Sequence, residues 1–221
     1  MAEVIPFFAI PFAFARHPEA AALNAELRAL FVARAAEGAA YANPRPITQR
    51  NSPLFESNFD LFRWTDPPIQ KLKEFCWHEL LNVICELNRY DAATRARLLI
   101  YNDAWFHVTR RGGYFAIHNH PNASWSGVYC VDPGKTDADS RGGALTFVNP
   151  TLTATMHLDP GNAGYSGAFA SGLRSLRMEP GQLVLFPSWV LHEVTPFEGE
   201  GERVTVAFNC WFRFKDAPGS T

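Results

Sequence analysis

The sequence predicts a mainly β fold, a jelly-roll barrel or sandwich, with N-terminal helices packed on one face. From Leu98 onward, apolar and polar residues alternate with a period of two in about eight short runs. Turn-forming stretches such as RRGG, DPGKTDADSRGG, EPGQ and FEGEGE separate those runs. Before residue 97 the period is helical instead, and helices followed by strands argue against an alternating α/β chain.

In chain order, the opening MAEVIPFFAIPFAFA has no basic n-region, and Pro6 and Pro11 interrupt its apolar run. It reads as an extended edge segment of the fold and not as a signal peptide. Leu23, Leu27, Leu30 and Phe31 share one helical face, and Gly38 supplies a stop. A loop of polar and turn residues, YANPRPITQRNSPLFESN, leads to Asp66–Pro67, an N-cap residue followed by a first-turn proline. The helix opened there carries Ile69, Leu72, Cys76, Leu80, Val83 and Leu87 on one face. The strand runs are LLIYNDAWFHV, YFAIHNH, WSGVYCV, ALTFVNP, SLRMEP, QLVLFP, VLHEV and RVTVAFNCWF. We read residues 1–221 as one domain: a mostly helical support segment over 1–97, a jelly-roll core over 98–214, and a flexible tail over 215–221.

Composition narrows the function classes. Hydrophobic residues are 47% and charged residues 19%, and 18 Phe and six Trp provide ample core material, so disorder is excluded. A net charge of −2 with no basic stripe argues against nucleic acid. No stretch reaches the length of a membrane span. The four cysteines, Cys76, Cys85, Cys130 and Cys210, form no CxxC pair and read as reduced side chains of a cytoplasmic protein.

The chemistry concentrates in HNHPNASWSG, residues 118–127. On an extended strand His118 and His120 point to the same side. His192 lies at a strand end in FPSWVLHEVTP, and Arg203 opens the last long run. In that run Val204, Val206, Phe208, Cys210 and Phe212 make an apolar face suited to packing on helices. Arg203, Thr205, Ala207 and Asn209 make the opposite, polar and small face. A guanidinium, a hydroxyl and an amide inside a barrel are costly unless something polar or anionic fills it, and Arg beside a hydroxyl suits a carboxylate. Taken singly, an HxH pair also occurs on exposed strands, and a lone Arg is more often a surface ion-pair residue.

The order HxH, distant His, Arg-x-Thr resembles the non-haem iron, 2-oxoglutarate-dependent oxygenases. Their double-stranded β-helix, a cupin-like jelly roll, carries HxD/E, a distant His, and Arg followed two residues later by Ser or Thr. The chain is most similar to a bacterial branch marked by HxHPNxxxSGVYYV and FPSWLxHxVxPF…RxSxxFN. Here these read HNHPNASWSGVYCV and FPSWVLHEVTPFEGEGERVTVAFN, and the likeness spans roughly residues 98–214. The resemblance implies Fe(II) on His118, His120 and His192, and 2-oxoglutarate with its far carboxylate on Arg203 and Thr205. The implied reaction couples decarboxylation of 2-oxoglutarate, to succinate and CO2, to hydroxylation of a small-molecule or peptide substrate. His120 stands where most of the superfamily has a carboxylate. Imidazole is a normal iron ligand, and its neutrality favours an anionic co-ligand. Its bulk argues against halogenation. Asp132, at the far end of the next strand, is the alternative carboxylate.

Other residues carry weaker signals. His107, with Trp105 and Thr109, shares a face that looks into the barrel, as a cofactor contact or as a packed core residue. Asn209 continues the polar face of the last strand. Ser126 reads as a turn residue or a donor to a cofactor oxygen. His17, His78 and His157 read as structural or solvated. The loop LDPGNAGYSGAFASG is long enough to be a lid. Two rival readings remain: a three-histidine cupin-type dioxygenase independent of 2-oxoglutarate, and a non-catalytic metal-binding barrel. A homodimer is the base-rate expectation for assembly.

Overall fold

The computed structural model describes residues 2–51, 53–137, 140–151 and 157–215. Among them are ten strands: β1 (Ala13–Arg16), β2 (Leu54–Glu56), β3 (Leu98–Thr109), β4 (Phe115–His118), β5 (Trp125–Asp132), β6 (Leu145–Val148), β7 (Leu173–Leu176), β8 (Gln182–Pro187), β9 (His192–Val194) and β10 (Arg203–Phe214). Three α-helices join them: α1 (Ala20–Ala36), α2 (Pro67–Asn88) and α3 (Ala92–Arg97).

The strands form two antiparallel sheets, one in the order β1-β8-β5-β10-β3-β2 and one in the order β4-β9-β6-β7. α1 and α2 cover the outer face of the larger sheet. Leu23, Leu27 and Phe31 of α1 and Ile69, Leu72, Cys76 and Leu80 of α2 bury against Phe106, Val108, Val206 and Phe208. Phe31 stacks on Phe106 with ring centroids 4.4 Å apart. A smaller core of Leu145, Phe147, Val184, Phe186 and Val190 lies between the sheets. Among the described residues, no helix is long and apolar enough to cross a membrane.

Several expectations need correction. Residues 1–97 are not only helical: β1 forms one edge of the larger sheet, as expected for an extended edge segment, and β2, inside the supposed polar loop, forms the other. On α2 the buried stripe ends at Ile84, while Leu87 is 51% exposed. The run SLRMEP lies late, since β7 is Leu173–Leu176. The loop after Leu158 contains a 3-10 turn at Gly167–Phe169 and is largely exposed. Of the expected tail, 215–221, all but Lys215 lies outside the described residues.

Candidate active site

β10 holds the middle of the larger sheet, between β5 and β3, so its inward side chains form the floor of the space between the sheets. The register places Thr205 opposite both His107 on β3 and Cys130 on β5, and Asn209 opposite Asp103 and Ser126. Glu56 on β2 lies opposite His107. All of these but Cys130 line a cavity of about 390 Å³, in the range usual for small-ligand sites.

The histidines form its other wall. His118 ends β4 and pairs directly with His192, the first residue of β9. His120 lies just beyond β4, yet its backbone N–H donates to the Ser188 carbonyl (2.9 Å), which keeps that segment extended against its neighbour. The three rings converge, with centroids 4.3 Å (His118–His192), 5.0 Å (His118–His120) and 5.2 Å (His120–His192) apart. One ring nitrogen from each lies within 4.8 Å of the other two.

Their protonation suits ligation. A carbonyl only accepts, so the contacts of His118 Nδ1 to Ala116 (2.8 Å) and His192 Nδ1 to Val190 (2.9 Å) make Nδ1–H the donor in both. That leaves Nε2 as the lone-pair atom, the second-sphere arrangement that orients metal-bound imidazoles. Burial lowers all three pKa values, His120 to about 4 and His192 to about 3, with the neighbouring His118 adding to the shift in both. Three neutral imidazoles, two of them oriented by backbone carbonyls and with no carboxylate among them, fit a divalent transition metal.

Arg203 is 5% exposed at the inner end of the cavity. Its one hydrogen-bond contact among the described residues is a long one to the Thr205 hydroxyl (3.5 Å), and no carboxylate pairs with it. Burial pulls its pKa below the usual guanidinium range. An unpaired buried cation is costly, and a dicarboxylate ligand entering the cavity would supply the missing anion.

His107 also lines the cavity. The Trp105 indole N–H donates to His107 Nε2 (2.9 Å), so that nitrogen is the acceptor and the 3.5 Å approach of Glu56 is not a hydrogen bond to the neutral ring. Burial favours the neutral form. Glu56 is instead satisfied by Arg50 (2.5 Å) and Asn43 (2.7 Å). Burial works against its ionisation, while the Asn43 amide and the Arg50 guanidinium favour the charged form, and the carboxyl lies below its usual value.

Ser126 is not a turn residue. It lies within β5, and its hydroxyl donates to Asn209 Oδ1 (2.7 Å) and bonds the Ser188 hydroxyl (2.8 Å). Asn209 lines the cavity with its carbonyl thus occupied. Asp132 is remote from the histidine cluster's ligand set, held by Arg28 (2.8 Å) and the Gly134 N–H (2.9 Å). His17 packs edge-on to Phe75, and His157 is exposed beside Asp159. Sequence reasoning missed Glu56, Arg50 and Asp103. For Asp103 a signal existed: it continues the two-residue period of Trp105 and His107.

A jelly roll with helices on its outer face, three converging imidazoles and a buried arginine between the sheets together make the arrangement expected of a non-haem iron oxygenase of the 2-oxoglutarate class. Residues 103–209 match the family described as "Putative 2OG-Fe(II) oxygenase", which marks that segment as a 2-oxoglutarate-dependent Fe(II) oxygenase domain. Fe(II) and 2-oxoglutarate are the cofactors of that class. Among solved structures the chain is similar to a prolyl-4-hydroxylase from Pseudomonas putida (19% identity, 93% of each chain covered, TM-score 0.60). It is also similar to HygX from Streptomyces hygroscopicus with nickel and 2-oxoglutarate bound (11% identity, 91% of this chain and 83% of that one, TM-score 0.58). A prolyl hydroxylase from Trichoplax adhaerens, in complex with a hypoxia inducible factor peptide fragment, is a further neighbour (14% identity, 90% and 83% covered, TM-score 0.55). At these identities the likeness establishes the fold. Comparison with curated proteins gave no match.

Proposed function

We propose that His118, His120 and His192 hold Fe(II), and that Arg203 with Thr205 anchors the far carboxylate of 2-oxoglutarate in a hydroxylase of a small-molecule or peptide substrate. The observation that carries the reading is the pairing, within one cavity, of a three-imidazole cluster with a buried guanidinium that lacks a carboxylate. Bound Fe(II) and 2-oxoglutarate supply the activation of dioxygen, with succinate and CO2 as by-products. The chain's own residues do the positioning. Backbone carbonyls of Ala116 and Val190 fix the tautomers of two ligands. The buried Arg203–Thr205 corner sets the direction in which a dicarboxylate lies, and Phe115 and Leu145 keep that end dry. His107 and Asn209 complete the floor, His107 as a neutral ring held by Trp105.

The cytoplasmic placement rests on four free cysteines, three of them buried, as expected of a protein kept reduced. The hypoxia-factor peptide bound to the Trichoplax neighbour supports a peptide as one substrate class.

The test is succinate formation by the Fe(II)-loaded protein, with and without 2-oxoglutarate, beside His192→Ala. Succinate and CO2 in equal amounts from the wild type, and none from the variant, are expected. Oxygen uptake that proceeds without 2-oxoglutarate would favour the 2-oxoglutarate-independent dioxygenase instead.

A further inference from the structure

The cavity carries two uncompensated charges of opposite sign. Arg203 is the cation at its closed end. The anion is Asp103 on β3, opposite Asn209 of β10. Along β10, Asn209 is six residues from Arg203, about 20 Å at the usual strand rise. Exposure grows in that direction: Arg203, Thr205 and Ala207 are buried, whereas Asn209, Trp211 and Asp103 are half-buried. Asp103 therefore stands at the mouth.

Asp103 makes no hydrogen bond or ion pair among the described residues. Burial pushes its carboxyl up, while the exposed Arg63 acts against that shift without reaching an ion pair. The cavity's other carboxylate, Glu56, is paired with Arg50 and Asn43, so Asp103 is the acid left available. Aromatic residues line the mouth with it. Trp105, two residues along the same strand face, packs on Phe59 at 4.5 Å between centroids, and Trp211 lines the same mouth. Trp105 is also 5.9 Å from the His120 ring. Asp103 thus lies about 7 Å, one two-residue repeat, beyond the ring that borders the histidine cluster.

A carboxylate half removed from water beside aromatic faces attracts cations and repels anions. We propose that Asp103 anchors a cationic group of the substrate, a primary amine or a guanidinium, with Trp105, Phe59 and Trp211 as its walls. The inference rests on reading the histidines as the iron site and Arg203 as the 2-oxoglutarate anchor. Substrate and cosubstrate are then sorted by charge: the dianion goes to the closed end, and the cation stays at the mouth. The reacting C–H bond lies a short chain of atoms from the cation, next to the His120 edge of the cluster.

The test is calorimetric binding to protein loaded with redox-inert Ni(II) and 2-oxoglutarate. The probes are capped Ala-Lys-Ala and Ala-Arg-Ala, with norleucine and citrulline replacements as neutral isosteres, and free agmatine. The peptide and agmatine arms distinguish a side chain from a free metabolite as the source of the cation. At least one cationic probe should bind tenfold or more tightly than its neutral counterpart (for agmatine, the citrulline peptide). Asp103→Asn should remove the preference and Asp103→Glu should retain most of it. No preference, no binding of any cationic probe, or a preference that survives in Asp103→Asn overturns the inference. Ni(II) and 2-oxoglutarate loading is measured first on the same samples. Failure to load overturns the underlying reading, and this one with it, whereas normal loading without cation selectivity overturns this one alone.

Discussion

The two faces of the larger sheet differ as sharply as two proteins. On β10, Val204, Val206, Phe208 and Cys210 point to the helices and are fully buried among apolar side chains. Their neighbours Arg203, Thr205, Ala207 and Asn209 point the other way, into the cavity. On the outer face the buried Tyr129 hydroxyl is satisfied by donating to Asn24 Oδ1 of α1 (2.8 Å). The inner face leaves a buried guanidinium without a carboxylate and three neutral imidazoles facing one point. The first is what folding selects, and the second costs stability that a ligand returns. One strand with strict alternation thus separates the residues that hold the fold from those that do chemistry.

Substitutions can break that separation or sharpen it. The largest effect belongs to the inner face: His118→Ala or His192→Ala should lose Fe(II) binding altogether, read by metal analysis after anaerobic loading, while the apoprotein melts within a few degrees of wild type. On the outer face, Phe208→Ala should cost about 3–5 kcal/mol of stability in urea unfolding. Protein that remains folded should still bind 2-oxoglutarate with unchanged affinity. Arg203→Ala should show the reverse pattern. Its affinity for 2-oxoglutarate should fall by about 2–5 kcal/mol, and its unfolding free energy should hold or rise, because an unpaired buried cation has gone. The smallest change tests packing alone. A Cβ at Gly127 would sit 2.2 Å from Phe208 Cζ, so Gly127→Ala should cost about 1–3 kcal/mol, seen as a lower urea midpoint with metal content intact.

The inner face was legible wherever alternation ran long. Arg203, Thr205 and Asn209 share a period of two over a twelve-residue strand, and the HxH pair declared itself within three residues. His192 was legible as a strand-end residue. Its direct pairing with His118, which brings the cluster together, is a tertiary fact that spacing does not carry. β2 escaped because three residues, Leu54–Glu56, are too few to show a period inside a stretch rich in Pro, Asn and Arg. Glu56 and its partner Arg50 went with it. The turn alternative for Ser126 came from the nearby Pro121–Asn122, but the turn closes before β5 begins at Trp125. Leu87 fell on the predicted helix stripe, but it is exposed, and Ile84 is the last buried residue of α2. What marks Asp103 is the absence of a partner, which depends on the whole set of neighbours.

Three imidazoles and one guanidinium line a single cavity. Anaerobic titration of Fe(II) into the protein with 2-oxoglutarate present, followed by visible absorption, tests it most directly. A charge-transfer band that saturates at one iron per chain in the wild type, and is missing in Arg203→Ala at the same 2-oxoglutarate concentration, is predicted. A band of equal strength in Arg203→Ala, or iron bound with no band in the wild type, would contradict it.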